Sequence, residues 1–283
     1  MKVLITGAGG MVGTSLRELC EASGDTVYAY DRGKLDIANA EDVWQRVESA
    51  KPDAVINCAA WTDVDGCEAD AKRAFAVNAH GPENLARASR EMNATFVTIS
   101  TDYVFDGTKE GFYTEEDEPN PQSVYGRAKL EGEQRSQETN NASIIVRTGF
   151  IFGRGGKNFL STIIERARRG EHIKAIVDSY GTPTYSRDLA QRLRELAELK
   201  RGRVLHVTNS GDGASYMEFA REAIKCANLG EPPIEEVLTE SLKRPAPRPQ
   251  NSRLQSVYSQ ALGLVPLPDW RHSLQKFARE TSA

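Results

Sequence analysis

Short apolar runs rich in β-branched residues alternate along the chain with segments whose apolar residues recur every three or four positions. The runs Lys2 to Thr6, Thr26 to Tyr30, Ala54 to Cys58, Thr95 to Ile99 and Ile144 to Arg147 read as strands. Between the first two, Met11, Val12, Leu16, Leu19 and Cys20 share one helical face, and a second helix runs through Val43, Trp44 and Val47. Ala71 to Asn93 reads as helix, broken or bent at Gly81-Pro82 because proline lacks the donor that continues the ladder. The polar stretch from Asp106 to Gln122 reads as loop, and a further helix begins near Ser123. Apolar strands alternating with helices predict a doubly wound parallel sheet of Rossmann type, an α/β fold with helices on both faces.

Beyond residue 150 the alternation loosens. Helical spacing recurs from Phe159 to Arg169, Arg187 to Leu199 and Tyr216 to Ala227, with short strands near Ile173 to Val177 and Arg203 to Val207. The proline-rich connector Lys243 to Pro249 follows. The expected division is an NAD(P)-binding core over residues 1–150. Residues 151–283 would form mainly a smaller C-terminal substrate-binding lobe, with a return of the chain to the core.

Composition narrows the function. The chain has 283 residues and a formal net charge of -4, so no broad field draws it to nucleic acid or an anionic membrane. The opening apolar run is only a strand in length and runs straight into glycines, unlike a signal peptide, and no stretch approaches membrane-spanning length. Four cysteines without paired spacing suit a reducing, cytoplasmic setting. The four histidines are scattered, so no protein-bound metal is expected.

Gly7, Gly10 and Gly13 follow the first strand directly and open the first helix. The first glycine permits a tight turn, the second lets the backbone approach a pyrophosphate, and the third lets helix pack on strand. Unpaired N–H groups at the helix start then face the phosphates. A glycine turn alone can simply reverse a chain; the order strand, turn, helix is what points to a dinucleotide. At the end of the second strand, Asp31 suits ribose hydroxyls and NAD, whereas Arg32 suits a 2′-phosphate and NADP. NADPH and NADH both stay open. Asp36 and Ile37 are candidates for the adenine side.

Tyr125 and Lys129 lie four apart on a predicted helix and share a face. A lysine cation beside a phenol favours the phenolate and is expected to pull its pKa down, making Tyr125 a candidate general acid for a carbonyl oxygen. The fourth strand ends in Ser100-Thr101-Asp102-Tyr103, which delivers hydroxyl and carboxyl groups to the carboxyl edge of the sheet. Thr101 can bond a substrate oxygen beside Tyr125, and Asp102 can orient a hydroxyl. In the connector, Lys243, Arg244 and Arg248 either clamp a substrate diphosphate or belong to a solvated loop; both readings stand.

These segments resemble the extended short-chain dehydrogenases/reductases, and more closely the dTDP-4-dehydrorhamnose reductases. The resemblance rests on the glycine turn, Leu35-Asp36-Ile37, Asn57 to Asp65, Ser100 to Gly107, Tyr125 to Glu133, Arg147 to Gly153, Asn158-Phe159, Tyr180 to Thr184 and Leu267 to Trp270, in order along nearly the whole chain. It implies NAD(P)H-dependent reduction of the C4 ketone of dTDP-4-dehydro-L-rhamnose for polysaccharide synthesis. Tyr125 would be the proton donor and Lys129 its electrostatic partner, with Thr101 beside them. Gly10, Met11, Val12, Asp31, Asp36, Ile37, Ala60, Trp61 and Thr62 would touch the cofactor. Val64, Thr101, Asp102, Tyr103, Phe150 and Asn158 would touch the substrate. Phe150 stands where the family often has tryptophan, and Asp178-Ser179-Tyr180-Gly181 where it often has Asp-Gln-Tyr-Gly. The resemblance also implies a nucleotide-sugar substrate as partner and admits a homodimer. Two alternatives share the fold: another nucleotide-sugar reductase or epimerase, and a non-catalytic NADP-binding subunit resembling the methionine adenosyltransferase beta subunit. Tyr103 stands where a dehydratase would carry glutamate.

Overall fold

The computed structural model describes residues 1–199 and 201–281, so residues 200, 282 and 283 of the expected lobe lie outside the described residues. The first half alternates β1 (Lys2–Thr6), α1 (Met11–Ala22), β2 (Thr26–Tyr30), α2 (Ala40–Ala50), β3 (Ala54–Asn57), α3 (Val64–Ala69), α4 (Ala71–Phe75), α5 (Gly81–Glu91), β4 (Thr95–Thr101), α6 (Val124–Thr139) and β5 (Ile144–Thr148). The second half adds β6 (Ile151–Phe152), α7 (Phe159–Arg168), β7 (Ile173–Ile176), β8 (Tyr180–Gly181), β9 (Thr184–Tyr185), α8 (Ser186–Leu196), β10 (Arg203–His206), β11 (Ala214–Ser215), α9 (Tyr216–Cys226), β12 (Ile234–Val237) and α10 (Trp270–Glu280).

Six strands form one parallel sheet in the order β10-β5-β4-β3-β1-β2. Its central strands β1, β3, β4 and β5 are buried along nearly their whole length, which is why apolar residues dominate them. Val3, Ile5, Ile56, Val97 and Val146 pack under α1 and α8, while Leu4, Val55 and Phe96 pack under α2 and α5. The order reverses between β1 and β3, and ligands of open α/β sheets bind outside the carboxyl ends of the strands at such a point.

The structure shifts some expected boundaries. β4 runs two residues past Ile99 because Ser100 and Thr101 still pair with Arg147 and Thr148 of β5. That pairing fixes Thr101 rigidly at the sheet edge. The helical path from α4 to α5 continues across Gly81-Pro82 rather than breaking there. A π-helical turn, Ala76–His80, widens the helix just before, and Pro82 falls in the first turn of α5, where its missing donor costs nothing.

A second core joins α7, α9 and α10, with Ile163, Ile173, Phe219, Trp270 and Phe277 at its centre. Between its segments the chain returns to the main sheet: α8 packs on α1, and β10 pairs with β5 at the sheet edge. Small two-stranded sheets, β7 with β12, β8 with β11 and β6 with β9, carry the lobe's connections.

Candidate active site

A cavity of about 750 Å³ opens between the carboxyl edge of the sheet and the second core. Gly10 to Gly13 line it from α1, Ile99 to Tyr103 from the end of β4, Tyr125 and Lys129 from α6, and Phe150, Phe159 and Tyr216 from the lobe. A second cavity of about 760 Å³ adjoins it, sharing Gly10, Cys58, Ala59 and Ala60. Gly7, Asp31, Arg32, Asp36, Ile37 and Trp61 line that one.

The glycine turn fits a dinucleotide. Gly7 has φ +65°, and a Cβ there would fall 2.6 Å from the backbone nitrogen of Ala59. A Cβ on Gly13 would fall 2.8 Å from the Cα of Ala8, so only glycine lets α1 sit against the turn. α1 has Gly10 as its N-cap and no side-chain cap, which leaves its first N–H groups to whatever enters the cleft. Asn78, in the π-helical turn, clamps the neighbouring loop. It accepts from Trp61 N at 2.9 Å and donates to Trp61 O at 3.0 Å. Arg73 covers the Trp61 ring at 4.1 Å.

Ser123 caps α6 by accepting from Gly126 N at 3.1 Å, so the helix starts with Tyr125 in its first turn, aimed at the end of β4. Gly126 has no room for a side chain because Tyr103 and Pro121 press on it. Burial pushes the Tyr125 phenol well up, and the neighbouring Thr101 side chain opposes this only in part. The pull downward expected from Lys129 is therefore not what the folded chain displays. Lys129 itself is buried, its Nζ donates to the Ile99 carbonyl at 2.6 Å, and burial brings it down to about 8 against the opposing charge of Glu133. A raised phenol pKa means that Tyr125 keeps its proton at neutral pH, which is the form a proton donor needs.

Thr101 donates to Asp102 Oδ1 at 3.0 Å and accepts from Tyr103 N at 3.2 Å. Asp102 is buried, with Gly149 so close that no Cβ fits between them. Burial raises it to about 6, with hydrogen bonds from Ser252 and Thr101 opposing. Tyr103 meets Tyr125 edge to face at 5.9 Å. Phe150 holds a left-handed φ of +52°, a strained conformation for a bulky residue, and its ring meets Tyr216 at 4.5 Å.

Most residues singled out from the sequence thus meet around two joined cavities. Arg248 stands apart: its guanidinium donates to Asp65 Oδ1 at 2.9 Å and Oδ2 at 2.8 Å, and also to the Ala246 carbonyl. Among the described residues, Arg166, Lys174 and Arg244 line the lobe side of the first cavity, Lys174 lying 3.4 Å from the Glu235 carboxylate. Asn158 lines it too, but its amide caps α7 through Ser161 N at 2.9 Å and holds the Ile151 carbonyl at 3.0 Å. Tyr216, Ser252 and Arg166 carried no local signal of a site. Only the Ser215 to Glu218 capping box, which starts α9 at Tyr216, was readable nearby. Among the described residues no group of three or more His, Cys, Asp or Glu side chains could hold a metal ion, and no helix is long and apolar enough to cross a membrane.

Comparison with known proteins gives concordant results. The family model described as RmlD substrate binding domain matches residues 1–283. A spore coat polysaccharide biosynthesis protein, SpsK, of Bacillus subtilis is 36% identical over 282 residues, covering 100% of this chain and 98% of the relative. A dTDP-4-dehydrorhamnose reductase of Streptomyces griseus is 37% identical, covering 96% of this chain and 91% of the relative. The dTDP-4-dehydrorhamnose reductase of Bacillus anthracis, solved in complex with NADP, superposes with a TM-score of 0.94 at 36% identity, covering 99% of this chain and 100% of that one.

Proposed function

The chain belongs to the RmlD substrate binding domain family, and from that premise we propose that it reduces the C4 ketone of dTDP-4-dehydro-L-rhamnose to dTDP-L-rhamnose with NADPH or NADH. The observation that carries this reading is one shared cavity: the glycine turn, Tyr125, Lys129 and Thr101 all line it. The family supplies the substrate, and the cavity supplies the means. NADP bound to the Bacillus anthracis relative supports the cofactor class.

Gly7, Gly10, Met11, Val12 and Gly13 would hold the pyrophosphate, with Asp31, Arg32, Asp36 and Ile37 at the adenosine end and Ala60, Trp61 and Thr62 between. When bound, the reduced nicotinamide supplies the hydride. The chain's own residues manage the proton. Tyr125 donates its phenolic proton to the substrate oxygen as negative charge develops there, and the Lys129 ammonium stabilises the phenolate left behind. Thr101 keeps the Tyr125 oxygen in line, and Asp102 fixes Thr101. Val64, Tyr103, Phe150 and Tyr216 enclose the sugar and exclude water. Arg166, Lys174 and Arg244 take the diphosphate, a role that Arg248 cannot share while Asp65 holds both arms of its guanidinium. Four free cysteines accord with a reducing, cytoplasmic setting, and a homodimer is the assembly to look for.

The test mixes purified protein with reduced cofactor and dTDP-4-dehydro-L-rhamnose and follows loss of the nicotinamide absorbance. Wild type should turn over, and Tyr125→Phe should lose on the order of 10²–10⁴ in kcat while still binding NADPH. Absence of turnover by wild type with either cofactor sinks the assignment.

A further inference from the structure

Glu133 is a buried acid that the proton transfer does not touch. It lies one helical turn beyond Lys129 on α6, so both side chains face the sheet. They meet β4 at adjacent residues. Lys129 donates to the Ile99 carbonyl, and the Ser100 hydroxyl donates to the Glu133 carboxylate. Arg147, the cross-strand partner of Ser100 in β5, donates to Glu133 through Nε at 3.0 and 3.1 Å and through Nη2 at 2.7 Å. Lys129, Glu133 and Arg147 are 4%, 3% and 5% exposed, so two positive charges and one negative are sealed between helix and sheet beneath Tyr125. Stability does not explain such a pair, because apolar residues of similar volume stabilise an interior as well or better.

We propose that Glu133 is a positioning residue of the reductase: acting through Lys129, it keeps that ammonium charged and seated under Tyr125, while Arg147 and Ser100 fix the carboxylate in place. The inference rests on reading the chain as a Tyr125-dependent reductase. The direction of the field on Lys129 agrees with it: burial removes the proton more easily, and Glu133 opposes this. The other groups around Lys129 cannot substitute. Tyr125 on α6 is a neutral phenol, Cys67 on α3 is a thiol raised to about 11 by burial, and Arg147 on β5 is itself cationic. Asp102 lies past Thr101 and is engaged by Thr101 and Ser252. With Glu133 neutralised, burial would act on Lys129 unopposed, and Lys129 would lose its proton at lower pH.

The experiment records pH profiles of kcat/KM, and of NADPH affinity by fluorescence, for wild type, Glu133→Gln, Arg147→Gln and the double variant. Glu133→Gln should bring the alkaline limb down by about one pH unit or more, and Arg147→Gln should bring it down by less, because the carboxylate stays but loses the donors that fix it. The double variant should match Glu133→Gln, since no carboxylate is left to fix. Displacements that do not add are the mark of one charge acting on Lys129, because lost packing would lower every rate without moving a limb. A folded Glu133→Gln whose limb coincides with wild type overturns the proposal. Where Glu133→Gln fails to fold, an unmoved limb in Arg147→Gln overturns it instead. If wild type reduces no nucleotide sugar, the reading of the activity fails by itself, and the NADPH affinity profiles still judge Glu133.

Discussion

Asp102 sits in a medium too apolar for its charge. Its carboxyl rises from an ordinary value of about 3.9 to about 6, chiefly through burial. The folded chain therefore holds this proton more tightly than the unfolded chain does. Between about pH 4 and pH 6 the native state binds more protons, so this group's contribution to stability falls as pH rises through that window. At neutral pH the cost is on the order of 1–3 kcal/mol. Asp102→Asn should therefore gain stability relative to wild type as pH rises. The difference in Tm, variant minus wild type, should increase by roughly 2–5 °C from pH 4 to pH 7. Turnover should fall at the same time, because Thr101 loses its anionic acceptor. A Tm difference that stays flat with pH would show that the carboxylate is not strained. Such a residue is legible in the sequence as a polar group at a strand end, yet its titration is not, because burial by Gly149 and Ser252 comes from segments 47 and 150 residues away.

The glycine turn shows how one element can be read locally and still differ residue by residue. Gly9 and Gly13 lie four apart, but a Cβ on Gly9 would meet Asp31 at an ordinary 3.6 Å, whereas one on Gly13 would press into Ala8. Gly13→Ala is expected to cost about 1–3 kcal/mol, since α1 must lift from the turn at Gly7 and Ala8. It should also abolish NADPH binding, because the helix start moves with it. Gly9→Ala should leave Tm within about 1 °C of wild type, within the range of a neutral surface change. Equal losses in the two variants would refute the packing account. The strand, turn and first helix were legible because the pattern is complete within 20 residues. α6 was legible for the same reason, with Ser123 as its cap. The π-helical turn at Ala76–His80 was not. Its cause is tertiary: Asn78 reaches back to Trp61, and its carbonyl packs against Gly132 of α6.

At the scale of the whole molecule, what escapes the sequence is which segments far apart in the chain come together. β10 reads as a short strand, but its place beside β5 depends on a chain that leaves the lobe and returns. Arg248 reads equally well as a phosphate clamp or a solvated residue, because its partner lies 183 residues away. That partner suggests what the connector does. Asp65 follows the cofactor-side loop Ala60 to Val64, and it holds both the guanidinium of Arg248 and, at 3.1 Å, the backbone N–H of Ala246. The pair ties the connector, with Arg244 and Pro249 on the cavity wall, to the cofactor side of the molecule. Asp65 is part exposed, so the pair adds little to global stability, and its value lies in where it holds the chain. Cutting it should loosen the nucleotide-sugar side of the cavity and leave the glycine turn untouched. Arg248→Ala is expected to raise KM for the nucleotide sugar about tenfold, equivalent to about 1.4 kcal/mol, with the NADPH Kd nearly unchanged. Asp65→Asn should do the same, and the double variant should be little worse than either, since one tie cannot be cut twice. Effects that simply add would show that Arg248 reaches the substrate on its own account, as a clamp rather than a strap.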